Sequence, residues 1–180
     1  GTTARRLTFL LEREMSLLAY HLPLDKHPEL GNNAGMADAL GLPTERHGFG
    51  AVRGHALGVW ADWSEPLSID DAALRVASRI TGGGRAPFVF AHGPARFRRV
   101  GLCTGAAGDL LEDAAQAGCD LYVTGELAER AGELARELGI HLIAAGHYDT
   151  EVFGPTRLAD YLRRTFAGLD AQFVDVPCAL

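Results

Sequence analysis

The sequence predicts an α/β fold with a mixed, largely parallel sheet. Apolar runs of strand length alternate with stripes at helical spacing, most clearly from Phe88 onward. Small-residue turns separate them, as at residues 82–85 (GGGR) and 105–108 (GAAG). Strand–helix–strand–helix–strand at this spacing implies right-handed βαβ units, in which ligands sit at the carboxyl ends of the strands.

Taken in order, residues 16–20 (SLLAY) read as a short buried strand that ends at a polar site. Asn32 and Asn33 can cap a helix carrying Met36, Ala37 and Leu40, which Gly41 stops. Residues 55–61 are strand-like. Ser68, with Asp71 three residues on, resembles a capping box, and Ile69, Ala73, Val76, Ala77 and Ile80 keep helical spacing behind it. Residues 88–91 and 99–103 read as strands, and Leu110, Leu111, Ala114 and Ala115 as a helical stripe. Residues 120–124 (DLYVT) form another strand. Leu127, Ala131, Leu134, Ala135 and Leu138 then follow as a helix that Gly139 ends. Residues 140–145 (IHLIAA) are a strand, Leu158, Leu162 and Phe166 mark a helix, and residues 173–176 close as a strand.

Composition narrows the function. Apolar residues make up 47% of the 180, enough for a real core. The formal net charge of −6 argues against a nucleic-acid backbone or an anionic membrane as main partner, since both need a basic surface. The three cysteines, Cys103, Cys119 and Cys178, form no C-x-x-C pair, and an odd count suits a disulfide framework poorly. They read as reduced thiols in the cytoplasm. No apolar run approaches the roughly 18 residues that span a bilayer. The chain begins at Gly1 without a methionine and enters a helix-like pattern almost at once, which reads as a trimmed or partial N-terminus.

Four clusters fall at expected strand ends. In residues 20–25 (YHLPLD), His21 and Asp25 lie four apart with Pro23 between them. Proline disfavours helix there, so an extended segment could aim both groups into one cleft; from spacing alone, a loop histidine beside a helix-capping aspartate is the better reading. In residues 146–151 (GHYDTE), His147 and Glu151 stand at i and i+4, on one face of a first helical turn. Imidazole plus carboxylate suits zinc, iron, manganese or similar ions. The plainer alternative is a helix capped by Thr150 with Glu151 as a first-turn charge. Glu126, after DLYVT, could orient a ligand histidine or pair with Arg130 one turn on. Residues 103–108 lack the spacing of a P-loop or a dinucleotide fingerprint, and a tight turn is the better reading. His27 lies near enough to Asp25 to reach the same cleft. His47, His55, His92 and His141 have no evident partner.

Together, residues 20–42 (YHLPLDKHPELGNNAGMADALGL), 124–129 (TGELAE) and 145–154 (AAGHYDTEVFG) resemble the Nif-three-like dinuclear-metal family, whose members are called type 2 homologues of GTP cyclohydrolase I. Residues 173–177 (FVDVP) resemble its ending. The resemblance covers essentially the whole chain. It implies two interlinked α/β lobes, one from residues 1–48 and 143–180 that carries the metal ligands and one from 49–142. It also implies a toroidal homo-hexamer and a pair of divalent ions (Zn, Fe, Mn or Mg) held by Asp25, His147 and Glu151. His21 would face the substrate or move a proton, and Glu126 would lie near the site. The family also supplies two adjacent histidines upstream of HLPLD. This chain has no His-His pair, so a second ion would be weakly held. Two metals favour hydrolysis by lowering the pKa of bound water from about 15.7 to roughly 7. The implied function is metal-dependent hydrolysis of a small, nucleotide-like substrate. The alternative is a non-catalytic, ring-forming metal-binding or interaction protein.

Overall fold

The computed structural model describes residues 1–178. Its strands form one mixed sheet. β1 (His47–Val52) and β2 (His55–Leu67) make an antiparallel hairpin. Its two turn residues, Arg53 and Gly54, both have positive φ (51° and 80°), as a tight twisted hairpin requires. β2 pairs antiparallel with β4 (Phe97–Cys103). β4, β5 (Leu121–Thr124) and β6 (His141–Ala144) run parallel, and β3 (Phe88–Phe90) closes the far edge antiparallel to β6. The order is β1-β2-β4-β5-β6-β3. The expected mixed sheet therefore forms, with parallel pairing confined to its centre. Both expected lobe segments contribute to it: residues 47–48 lie in β1 and residues 143–144 in β6.

The parallel strands are joined by helices. A 3-10 turn (Gly108–Leu110) and α5 (Leu111–Gln116) connect β4 to β5, and α6 (Ala131–Leu138) connects β5 to β6. α5 starts one residue later than its stripe and α6 four residues later, at Ala131 instead of Leu127. Burial explains why β5 reads as an unbroken apolar run: Leu121 and Val123 enter one core and Tyr122 the other. The first core lies under α3 (Asn32–Ala39) and α4 (Ile69–Arg79), with Met36, Leu40, Trp63, Val76, Val100 and Ile143 at its centre. α4 begins as its sequence implies: Ser68 accepts from the Asp71 amide at 3.2 Å, and Asp71 answers to the Ser68 backbone. The second core packs Phe49, Cys103, Leu111, Tyr122, Ala135 and Leu142.

Three elements depart from expectation. Residues 16–20 form no strand: Leu17, Leu18 and Tyr20 are exposed, and no described strand borders them. Residues 173–176 are likewise irregular and pair with no described strand. Residues 21–25, expected to be extended, form a one-turn helix, α2 (His21–Asp25). Pro23 fits because it sits in the first turn, where the amide has no helical partner to lose.

The chain closes with α7 (His147–Glu151) and α8 (Phe153–Thr165), which packs on α3. α1 (Thr2–Glu12) precedes the fold and buries no residue of its own. No helix among the described residues is long and apolar enough to cross a membrane.

Candidate functional site

Three parallel strand tips meet through their backbones. The Gly125 and Glu126 amides both donate to Gly105 O, at 3.1 and 2.9 Å, and the Gly146 amide donates to Gly125 O at 3.0 Å. Thr150 locks α7 onto this ladder. Its Oγ1 accepts the Gly105 amide at 3.0 Å, and its own proton reaches Gly146 O or His147 O. A Cβ at Gly125 would stand 2.7 Å from both Gly105 O and Thr150 Oγ1, so only glycine fits there. Thr150 is thus an internal bolt of the helix, and not its N-cap.

α7 presents His147 and Glu151 on one face, as the i, i+4 spacing implies. His147 Nε2 lies 3.1 Å from Glu151 Oε2. Its Nδ1 hydrogen-bonds to Glu126 Oε1. Glu126 therefore meets the histidine and not Arg130, which pairs with Asp109 at 2.6 Å.

Asp25 ends α2 and is 6% exposed. Asn32 Nδ2 donates to its Oδ1 at 2.7 Å, and His21 Nε2 lies 3.8 Å from its Oδ2. His21 itself is open to solvent, with its side chain 79% exposed. His27 does not reach the cleft: its Nδ1 accepts from the amides of Glu29 and Leu30 in a local turn.

The charges act on one another. Burial pushes the Glu151 carboxyl above its usual range, and the Asp25 charge adds to the rise against the opposing pull of His147 and His21. Partial burial disfavours the charged His147 ring. The bond from Glu126 and the charges of Glu151 and Glu126 outweigh it, and the ring's pKa is raised above 6.5. Burial, with Asp25 and Glu151 adding, pushes the Cys103 thiol up to about 12, which removes it as a nucleophile at neutral pH.

The donor types fit a divalent cation. A carboxylate fixes His147 through one ring nitrogen and turns the other toward Glu151, the usual way a ligand histidine is oriented. Asp25 and Glu151 are two carboxylates whose mutual repulsion a cation would relieve. Asp25 is held by Asn32 and Glu151 meets His147, and among the described residues no three His, Cys, Asp or Glu side chains converge closely enough to enclose an ion.

Glu126 lines several openings, of which two are the widest. A cleft of about 380 Å³ is lined by Glu126, His147, Tyr148, Glu151, Phe173 and Cys178. A second, of about 730 Å³, runs past Glu126 between Phe88, Phe90 and Arg85. Both fall in the size range of small-molecule sites.

Sequence reasoning missed the supports. Asn32 and Asn33 read as helix caps, yet both lie inside α3, whose N-cap residue is Gly31. Asn32 bridges Asp25 to Gly154, whose amide donates to Asn32 Oδ1 at 2.6 Å. Asn33 accepts the Thr104 amide at 2.9 Å and donates to Leu57 O at 2.9 Å. Both are nearly fully buried, so each amide needs partners on every side, a requirement that only the three-dimensional structure reveals.

Fold and cluster together define a mixed α/β protein with a histidine–carboxylate site at the carboxyl ends of parallel strands. A model of the Duf34/NIF3 (NGG1p interacting factor 3) family matches residues 1–177, and the chain belongs to that family. It is 41% identical over 177 residues to the GTP cyclohydrolase 1 type 2 homolog of Pseudomonas aeruginosa, covering 98% of this chain and 68% of that protein. The protein of the same name from Haemophilus influenzae is 36% identical over 181 residues, with the same two coverages. Among solved structures, the chain superposes on ybgI, a protein of unknown function, with a TM-score of 0.86 at 36% identity, covering 99% of this chain and 68% of that one. Superposition on TTHA1606 from Thermus thermophilus gives 0.82 at 35% identity, over 100% and 69%.

Proposed function

We propose that this chain binds divalent metal ions through Asp25, His147 and Glu151 and serves metal-dependent hydrolysis of a small, nucleotide-like substrate. The observation that carries the reading is the setting of His147: Glu126 occupies Nδ1, and Nε2 faces Glu151 at 3.1 Å beside the buried charge of Asp25. Bound divalent ions supply Lewis acidity and lower the pKa of coordinated water.

The chain's own residues do the rest. Glu126 fixes the His147 ring and keeps its proton on Nδ1. Asn32 fixes Asp25. His21, exposed and 3.8 Å from Asp25, is placed to take up or release a proton at Nε2. The clefts on either side of Glu126 receive the substrate. The name borne by the relatives makes purine nucleotides the first substrates to try. The reading extends to a ring-shaped homo-hexamer in the cytoplasm, which the exposed apolar residues Leu7, Leu11, Leu17 and Leu18 would suit.

The test is metal content by elemental analysis, and turnover of a nucleotide and phosphoester panel, for wild type, Asp25→Ala and His147→Ala. The proposal expects bound metal and turnover in wild type and a loss of both in the variants. Equal rates in all three would remove the enzyme reading, and equal metal content would remove the ligand set. A second reading is a metal-binding or interaction protein without catalysis: with no His-His pair in this sequence, the ligand set would hold a second ion weakly. It expects metal loss in the variants with no turnover in any of the three.

A further inference from the structure

The side chain of Asn32 touches two parts of the site at once. It is 4% exposed, and both ends of its amide are used. Nδ2 donates to Asp25 Oδ1 at 2.7 Å, and Oδ1 accepts the Gly154 amide at 2.6 Å. Gly154 lies three residues beyond Glu151, at the start of α8, so one side chain connects the short helix ending in Asp25 to the segment that leaves Glu151. The packing is built around that amide. A Cβ at Gly154 would stand 2.8 Å from Asn32 Oδ1 and 3.0 Å from its Cγ.

α2 is a single turn whose only buried residue is Asp25. It has little apolar packing of its own to set the direction of that carboxylate. The Asn32 bond supplies the direction, and it leaves Asp25 Oδ2 as the oxygen nearer to His21. Asparagine suits this place better than aspartate, since aspartate would set two carboxylates in contact. It suits better than serine, which has one proton and one oxygen and cannot span both partners.

We infer that Asn32 is a positioning residue that aims the Asp25 carboxylate and sets its spacing from the helix bearing His147 and Glu151. Its role in metal binding rests on the function proposed above; its role in orienting Asp25 does not.

The experiment uses the full chain, with cobalt(II) as probe. Wild type, Asn32→Asp, Gly154→Ala and Asp25→Asn are freed of metal and titrated with cobalt, followed by visible absorption and calorimetry. Thermal unfolding is measured on the metal-free proteins. Asn32→Asp keeps an acceptor for the Gly154 amide and loses the donor to Asp25. Gly154→Ala leaves the chemistry of Asp25 intact and displaces the Asn32 amide. Asn32 as a positioning residue expects cobalt affinity to fall at least tenfold in both. The cobalt absorption bands should also shift, a change that lowered stability alone would not cause. Wild-type affinity and bands in Asn32→Asp, alongside a loss in Asp25→Asn, would overturn it. A crystal structure of metal-free Asn32→Ala decides the orientation itself: Asp25 in a new rotamer supports the inference, and Asp25 unmoved sinks it. If wild type binds no cobalt, the metal reading fails and that structure still settles the role of Asn32.

Discussion

Gly105 lies directly against Glu151: a Cβ at position 105 would collide with Glu151 Oε1. The same Cβ would lie 3.2 Å from His147 Nε2, and Gly105 has a φ of +69°. The strand tip is therefore shaped for a residue without a side chain, on grounds of both backbone and space. Gly105→Ala is expected to cost about 1–2 kcal/mol from the left-handed backbone alone. It should also swing Glu151 off its present line with His147. Urea unfolding of the metal-free protein measures the first effect and a zinc titration the second. Unchanged zinc affinity would show that the carboxylate tolerates displacement.

His141 is a buried histidine with a structural task. Its Nδ1 accepts the Gly93 amide at 3.1 Å and its Nε2 lies 2.9 Å from Pro94 O, so the ring proton sits on Nε2. The ring also packs on Phe97 at 4.9 Å between centroids. His141→Leu removes both hydrogen bonds from backbone groups that are themselves partly exposed, each bond worth about 0.5–1.5 kcal/mol. The expected result is a loss of about 1–3 kcal/mol in urea unfolding. Near wild-type stability would mean that water or a local shift satisfies both groups.

Asp38 joins α3 to α8. Arg157 Nη2 reaches its Oδ2 at 2.7 Å, Arg46 bonds to its Oδ1, and Arg157 also donates to Glu29 O at 2.8 Å. Partial burial pushes the carboxyl up, but the two arginines outweigh it and hold the pKa below 3.8. A depressed folded pKa gives stability that is fully present above the unfolded value and is lost as pH falls through the folded one. Asp38→Asn should therefore lower stability at pH 7. The loss should be under about 1 kcal/mol, because the side chain is partly exposed and screened. Wild type and variant should converge as pH drops below about 4. Urea midpoints from pH 7 to 3 test this; a gap that widens toward acid would reverse the assigned sign.

Some of this was legible in the sequence for physical reasons. β4, β5 and β6 are short apolar runs between turns because they are buried on both faces, and the Ser68–Asp71 cap is a local pair. His147 and Glu151 share a face because four residues make about one turn. What stayed hidden depends on contacts far apart in the chain. Residues 16–20 have the composition of a strand, but composition does not provide a neighbour to pair with. Pro23 reads as a helix breaker until its place in a first turn is known. The Asn32–Gly154 bond spans 122 positions, and a helix-initial asparagine looks the same whether it caps its own helix or braces another segment.

The last prediction concerns what Glu126 does to His147. The carboxylate can act by geometry, holding the ring through Nδ1, or by charge, making Nε2 a stronger donor to a cation. Glu126→Gln separates the two, because the amide oxygen can still accept from Nδ1 while the negative charge is gone. Glu126→Ala removes both. Since Glu126 contributes to the raised pKa of the ring, that pKa should fall in both variants, read by proton NMR of the metal-free protein. On the metal reading proposed above, Glu126 is an outer carboxylate, and losing such a group typically lowers metal affinity about 10–100-fold. Glu126→Ala is expected to show the full loss and Glu126→Gln an intermediate one, measured by competition with a chromophoric chelator. If the glutamine variant binds as weakly as the alanine variant, charge is the whole contribution. If it binds like wild type, orientation through Nδ1 is sufficient, and the short contact between these two side chains acts as a geometric clamp.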